Sequence, residues 1–276
     1  MAADPSWTPP PGAREFAGGK LLVDEPATDV ARVTIVNPEK RNALDHAILA
    51  AFAIALGELR ARCVVVTGSH GMFSAGYDLG GMPEERFSEE AEKLVAHPFT
   101  DAIDALELYE YPVVAALSGH TIGGGLELAL SCDLRIGQEG IKLGMPPAKL
   151  GLVYSHTGLQ RFISAIGAPR TRELFLVGRN ISVDRALDWG LVNDIAPAAE
   201  LQDRAIALAA EIAANAPLST SGNKRVIREL LAQRDRLDPA VEAGLIELRR
   251  ACFLSEDFRE GVQAFGEKRK PQWRGR

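Results

Sequence analysis

The chain is poor in cysteine. Cys63, Cys132 and Cys252 lie far apart and form no CxxC pair. This excludes a disulfide framework and favours small apolar core residues in a reducing compartment. The five histidines show neither HExxH nor mixed His/Cys ligand spacing, so no metal site is expected. No stretch approaches ~20 unbroken apolar residues, so no membrane-spanning helix is expected. Positive charge is also scarce: 31 Lys and Arg face 37 Asp and Glu, a net charge of −6. A general nucleic-acid binder is normally basic, so that class is excluded. GxxxxGK[ST], a complete GxGxxG after a strand, and GxSxG are all missing, which removes the usual nucleotide loops and the α/β-hydrolase nucleophile. The opening MAADPSWTPPPGARE lacks the basic start and apolar centre of a signal peptide, and its prolines oppose a helix. Residues 1–15 are expected to form a disordered or loosely attached tail, and a cytoplasmic location is expected.

What is present is a globular composition. Of the 276 residues, 46% are hydrophobic and 25% charged, enough for one large domain or a domain with an appendage. KLLVDE (20–25) and VARVTIV (30–36) predict two strands around a turn. Asn42 is a candidate N-cap, with Asp45 three residues on, for a helix from Leu44 to Leu59. RCVVVT (62–67) and Val113–Leu117 predict buried strands, and Leu134–Ile136 a third. Between the first two lie a Gly/Ser-rich loop and a helix from about Glu89 to Tyr109. Strands alternating with helices argue for an α/β core. Beyond Gly158 the pattern turns helical, with one short strand expected over Leu191–Ile195. Helices are predicted over 199–215, 217–233, 239–254 and 257–268. The C-terminal EKRKPQWRGR gathers Lys268, Arg269, Lys270, Arg274 and Arg276, either to hold an anionic small molecule or as a solvated tail.

The stretch SGHTIGGGLELALSCDL (118–134) accepts two costs at once. Three glycines weaken a helix, by about 0.8–1 kcal/mol each relative to Ala in its interior. Glu127 sets a carboxylate among leucines and alanines, which is unfavourable unless something answers it. Gly123, Gly124 and Gly125 fall at a strand-to-helix junction, where first-turn N–H groups lack partners and face the positive end of the helix dipole. Such a place suits a developing oxyanion. A second Gly-rich turn, FSAGYDL (73–79), could supply a second donor from the Tyr77 N–H. Glu127 returns to the face of Gly124 one turn on, so its carboxylate could act as acid or base beside a carbonyl. Tight strand–helix packing for the glycines, and an ion pair with Arg135 for Glu127, remain alternatives on these residues alone.

Five segments, in order, resemble the crotonase superfamily, the enoyl-CoA hydratase/isomerase family: NPEKRNALD, FSAGYDL, GHTIGGGLELALSCDLRI, LGMPPAKLGLVY and AFGEKRKP. The resemblance covers almost all of residues 16–276. It implies a spiral of repeated ββα units over 16–197 and a C-terminal helical region over 198–276 that builds homotrimers, often paired into hexamers. It implies an acyl-CoA thioester substrate, with neither metal nor redox cofactor. It assigns the oxyanion hole to the N–H groups of Tyr77 and Gly124. It assigns acyl-CoA binding to Lys40, Arg41, Ala43, Ser74, Ala75, Gly76, Asp78, Leu79, Gly123, Pro146 and Lys268, the last near CoA phosphates and possibly reaching a neighbouring subunit.

One departure bears on the reaction. Hydratases of this family carry two catalytic glutamates. The first matches Glu127, but Pro147 occupies the second position, and proline transfers no proton. Methylmalonyl-CoA decarboxylases are similar over Leu150-Gly151-Leu152-Val153-Tyr154, and that resemblance makes Tyr154 an active-site candidate. Decarboxylation needs an enolate-stabilising hole but not two glutamates.

Overall fold

A computed structural model describes residues 6–78 and 98–276. The start of the helix expected from Glu89, the assignment at Leu79, and residues 1–5 of the tail lie outside the described residues. Two sheets organise the α/β core. The larger has seven strands: β1 (Arg14–Phe16), β2 (Leu21–Ala27), β3 (Val30–Ile35), β4 (Cys63–Gly68), β6 (Val113–Leu117), β8 (Leu134–Gln138) and β11 (Asp194–Ala196), in that spatial order. The smaller runs β10 (Ile181–Ser182), β9 (Lys142–Gly144), β7 (His120–Ile122), β5 (Met72–Ser74).

From β4 to β9 the chain alternates between the sheets, one strand in the large and the next in the small. Pairing along this run is parallel in both sheets. This is the spiral of repeated units. Its strands in the large sheet are continuous apolar runs because both faces are covered. On one face packs helix α1 (His46–Glu58), with Ile48, Leu49, Phe52 and Leu56 buried, alongside α2 (Pro98–Leu108). On the other lies Leu201–Ala214, whose Leu201, Ala205, Ala209 and Ala213 form a stripe at i, i+4 spacing.

Three expectations need correction. Asn42 is not a helix cap: Asp45 is, accepting from the Ile48 N–H, and the helix begins at His46. Asn42 is fully buried at φ 54° and donates to the carbonyls of Ser69 and Met72, tying two loops together. A short polar side chain that tolerates the left-handed region serves that role as readily as a cap. Arg14 and Glu15, read as tail, begin β1 and pair with β2. The last strand lies at Asp194–Ala196 rather than over Leu191–Ile195, where Leu191 and Val192 instead fill the core.

Candidate active site

Helix α3 (Gly124–Leu130) starts directly after β7. Gly123 is its N-cap at φ 57° and ψ −130°, a conformation that favours glycine. The Gly123 N–H donates to the Gly144 carbonyl, which ties this turn to β9 and so to the neighbouring Pro146. The N–H groups of Gly124 and Gly125 fall in the first turn and have no acceptor within the helix.

The second glycine turn packs directly on the first. Gly76 sits at φ 94°, and a Cβ there would stand 3.2 Å from the Gly124 nitrogen. Ser74 is fully buried below it and accepts from the Gly76 N–H. The Lys40–Leu44 segment braces the turn from the other side. The Ala75 N–H donates to the Arg41 carbonyl, the Leu44 N–H to Gly76 and the Asp78 N–H to Leu44. Because that bridge uses the groups on either side of Tyr77, the Tyr77 N–H points away from Leu44. Lys40 Nζ donates to Asp78 Oδ2 at 2.6 Å. Lys40, Arg41, Ala43, Ser74, Ala75, Gly76, Tyr77, Asp78, Gly123 and Gly124 thus come together around two touching turns.

Lys268 is not brought into this group within the chain. It is exposed just past the helix Glu256–Gly266. The other C-terminal arginines are largely committed locally: Arg269 to Glu260 and Glu267, Arg274 and Arg276 to Glu256.

Glu127 is 2% exposed, and both of its oxygens are engaged. The Tyr154 hydroxyl donates to Oε2 at 2.5 Å, and Arg161 donates to Oε1 at 3.2 Å. Burial pushes the carboxyl above its ordinary range, against the opposing pull of Arg161 and the Tyr154 hydrogen bond. Tyr154 is pushed well above the usual phenol value, first by burial and then by the Glu127 charge. Its ring stacks edge-on against Phe175, with centroids 5.4 Å apart, which fixes the hydroxyl. The sequence thus places an acid and a phenol in direct contact across 27 residues.

The ion-pair partner differs from the one anticipated. Arg135 reaches the Leu191 and Cys132 carbonyls, whereas Arg161 pairs with Glu127 and, at 2.6 Å, with Glu107. Arg161 lies 34 residues from Glu127, on α4 (His156–Arg172), so no local spacing signals the pair. Beside it opens a cavity of about 420 Å³ whose lining includes Glu107, Arg161 and Lys224. Pro147, buried, opens the short 3-10 turn Pro147–Leu150 and offers no titratable group.

Removing Arg161 tests this bridge. Arg161→Met strands the Glu127 charge, and losing one partner of a buried pair costs about 3–5 kcal/mol. The 22% exposure of Arg161 argues for the lower end. Because the folded carboxyl already holds its proton above the unfolded value, stability falls as pH rises through that window. Without Arg161 the window extends to higher pH. Thermal melts should therefore show a deficit that widens from acid to neutral pH. A deficit independent of pH would contradict the pairing.

The comparisons agree with this architecture. The family model "Enoyl-CoA hydratase/isomerase" matches residues 25–276. A short-chain-enoyl-CoA hydratase of Clostridium acetobutylicum is 34% identical over 246 residues, covering 87% of this chain and 92% of its own. The 2,3-dehydroadipyl-CoA hydratase of Escherichia coli K12 is 32% identical over 261 residues, covering 90% and 96%. Among solved structures, methylmalonyl-CoA decarboxylase complexed with 2S-carboxypropyl CoA superposes with a TM-score of 0.85 at 27% identity, covering 93% and 98%. The chain belongs to the enoyl-CoA hydratase/isomerase family, in the crotonase superfamily. It is an acyl-CoA-processing enzyme of that family. Among the described residues no helix is long and apolar enough to cross a membrane.

Proposed function

We propose that the protein decarboxylates a malonyl-type acyl-CoA, holding the thioester enolate between the N–H groups of Tyr77 and Gly124. The observation that carries this reading is the direct Tyr154–Glu127 hydrogen bond, with Pro147 where a second acid would stand. Hydration needs one group to activate water and another to protonate the α-carbon. Decarboxylation needs one proton delivery. As the carbon–carbon bond breaks, its electron pair moves into the enolate and carbon dioxide leaves. The α-carbon then takes a proton from the Tyr154–Glu127 pair. Burial raises the carboxyl above its ordinary range and so favours its protonated form. Because the thioester itself accepts the electron pair, the step draws on neither a metal nor a redox cofactor.

Self-association as a trimer or hexamer belongs to the same reading. It is supported by Pro217–Arg234, where only Lys224 is buried while Leu218, Val226, Ile227 and Leu230 stand exposed.

The test is a direct substrate comparison. Methylmalonyl-CoA is expected to release carbon dioxide at an enzymatic rate, on the order of 1–10³ per second, while crotonyl-CoA is hydrated far more slowly. Hydration of crotonyl-CoA at such a rate, with methylmalonyl-CoA inert, would replace this reading with the hydratase one.

A further inference from the structure

Two buried side-chain polar atoms lack a hydrogen-bond partner among the described residues: Tyr77 Oη and Arg249 Nε. A buried donor without an acceptor costs roughly 1–3 kcal/mol, so two such atoms call for an explanation. They belong to one neighbourhood. The Tyr77 ring lies over Gly124, where a Cβ would stand 2.9 Å from the ring edge. The ring is held edge-on against Phe99 at 4.8 Å. Its hydroxyl lies near that of Tyr154 without a hydrogen bond between them. Tyr77 also lies within reach of the charges of Glu127, Arg249 and Arg161.

Arg249 arrives from the C-terminal helix Pro239–Leu254. Three residues on, Cys252 accepts from the Val153 N–H and donates to the Gly151 carbonyl, pinning this helix to the turn that carries Tyr154. Four residues on, Phe253 is buried. Arg249 shares the face of both and is turned inward by the helical repeat. The Nε–H of the Arg249 guanidinium and the phenol O–H of Tyr77, each buried without a partner among the described residues, suit an anionic oxygen pair.

We propose that Tyr77 Oη and Arg249 receive a carboxylate carried by the acyl group of the substrate. This rests on the enolate-site reading above and adds the residues that select an acidic acyl chain. Like-charge repulsion from Glu127 is moderated, because that carboxylate already faces Arg161 and the Tyr154 hydroxyl.

Two thioethers of CoA that cannot react provide the probe: S-(2-carboxypropyl)-CoA, with the carboxylate, and S-propyl-CoA, without it. Calorimetry on the full chain should show tighter binding of the first. Tyr77→Phe, which keeps the ring and the main-chain N–H, and Arg249→Met should each weaken the carboxylated ligand roughly ten- to a hundredfold, the range of a hydrogen bond to a charged group. Binding of S-propyl-CoA to Arg249→Met should change by less than about twofold, and Arg249→Lys should recover part of the loss. Equal losses on both ligands would assign the residues a structural role and overturn the proposal. So would a wild-type protein that does not distinguish the two. Selective binding without carbon dioxide release from methylmalonyl-CoA would instead leave the carboxylate receptor standing and remove the decarboxylase reading.

Discussion

Glu127→Gln is expected to lower turnover by roughly 10²–10⁴-fold, the usual contribution of a positioned acid or base, with CoA affinity nearly unchanged. Glutamine preserves the shape and can still accept from the Tyr154 hydroxyl. It cannot carry a proton. The variant should fold, because Arg161 keeps its 2.6 Å contact to Glu107 and a buried ionisable group is replaced by a neutral one. The measurement is solvent deuterium exchange at the α-carbon of a bound acyl-CoA. Exchange at the wild-type rate would end the role assigned to Glu127 and would shift proton delivery to Tyr154.

The second large effect is expected at Gly125→Ala. A Cβ there would stand 2.6 Å from the Ser74 Cβ and 2.8 Å from its carbonyl oxygen. Neither atom lies at the end of a flexible chain, so the start of the helix must move away from the Ala75–Tyr77 turn. Ser74 also holds the Gly76 N–H, so the shift reaches both sides of the oxyanion hole. Losing one donor of such a hole costs about 10²–10³ in kcat, and that loss is expected here with the acid and phenol still in place. Gly222→Ala is the control. It lies in a helix where a Cβ meets nothing within 4 Å, and alanine favours the helix, so activity should be retained. Full activity in Gly125→Ala would show that the two turns need not touch.

The glycine turns and Glu127 were legible because they violate local preference, and such violations mark functional sites. The alternation of apolar strands with helices gave the α/β class, and the ordered motifs gave the spiral. The second sheet was not legible. Met72–Ser74, His120–Ile122 and Lys142–Gly144 are three residues each, too short for a period-2 pattern to emerge from loop sequence. Asn42 was misread because a residue suited to capping is equally suited to bridging two loops. Arg161 and Arg249 could not be found at all. Each reaches the site from a separate helix, and nothing in a single sequence records a contact between residues so far apart.

The smaller sheet has a consequence of its own. Its three short parallel strands each run straight into a working segment: Ala75–Asp78, Gly123–Glu127, and the Met145–Pro147 corner. They act as a gauge block that sets the spacing of all three at once. The long apolar ladders of the larger sheet hold the molecule together, whereas only a handful of hydrogen bonds hold the gauge. Slippage by one residue in His120–Ile122 would break its alignment with both neighbours and carry Gly124 and Glu127 out of position, while leaving the bulk of the molecule intact. Stability and catalytic alignment in this chain therefore rest on different scaffolding.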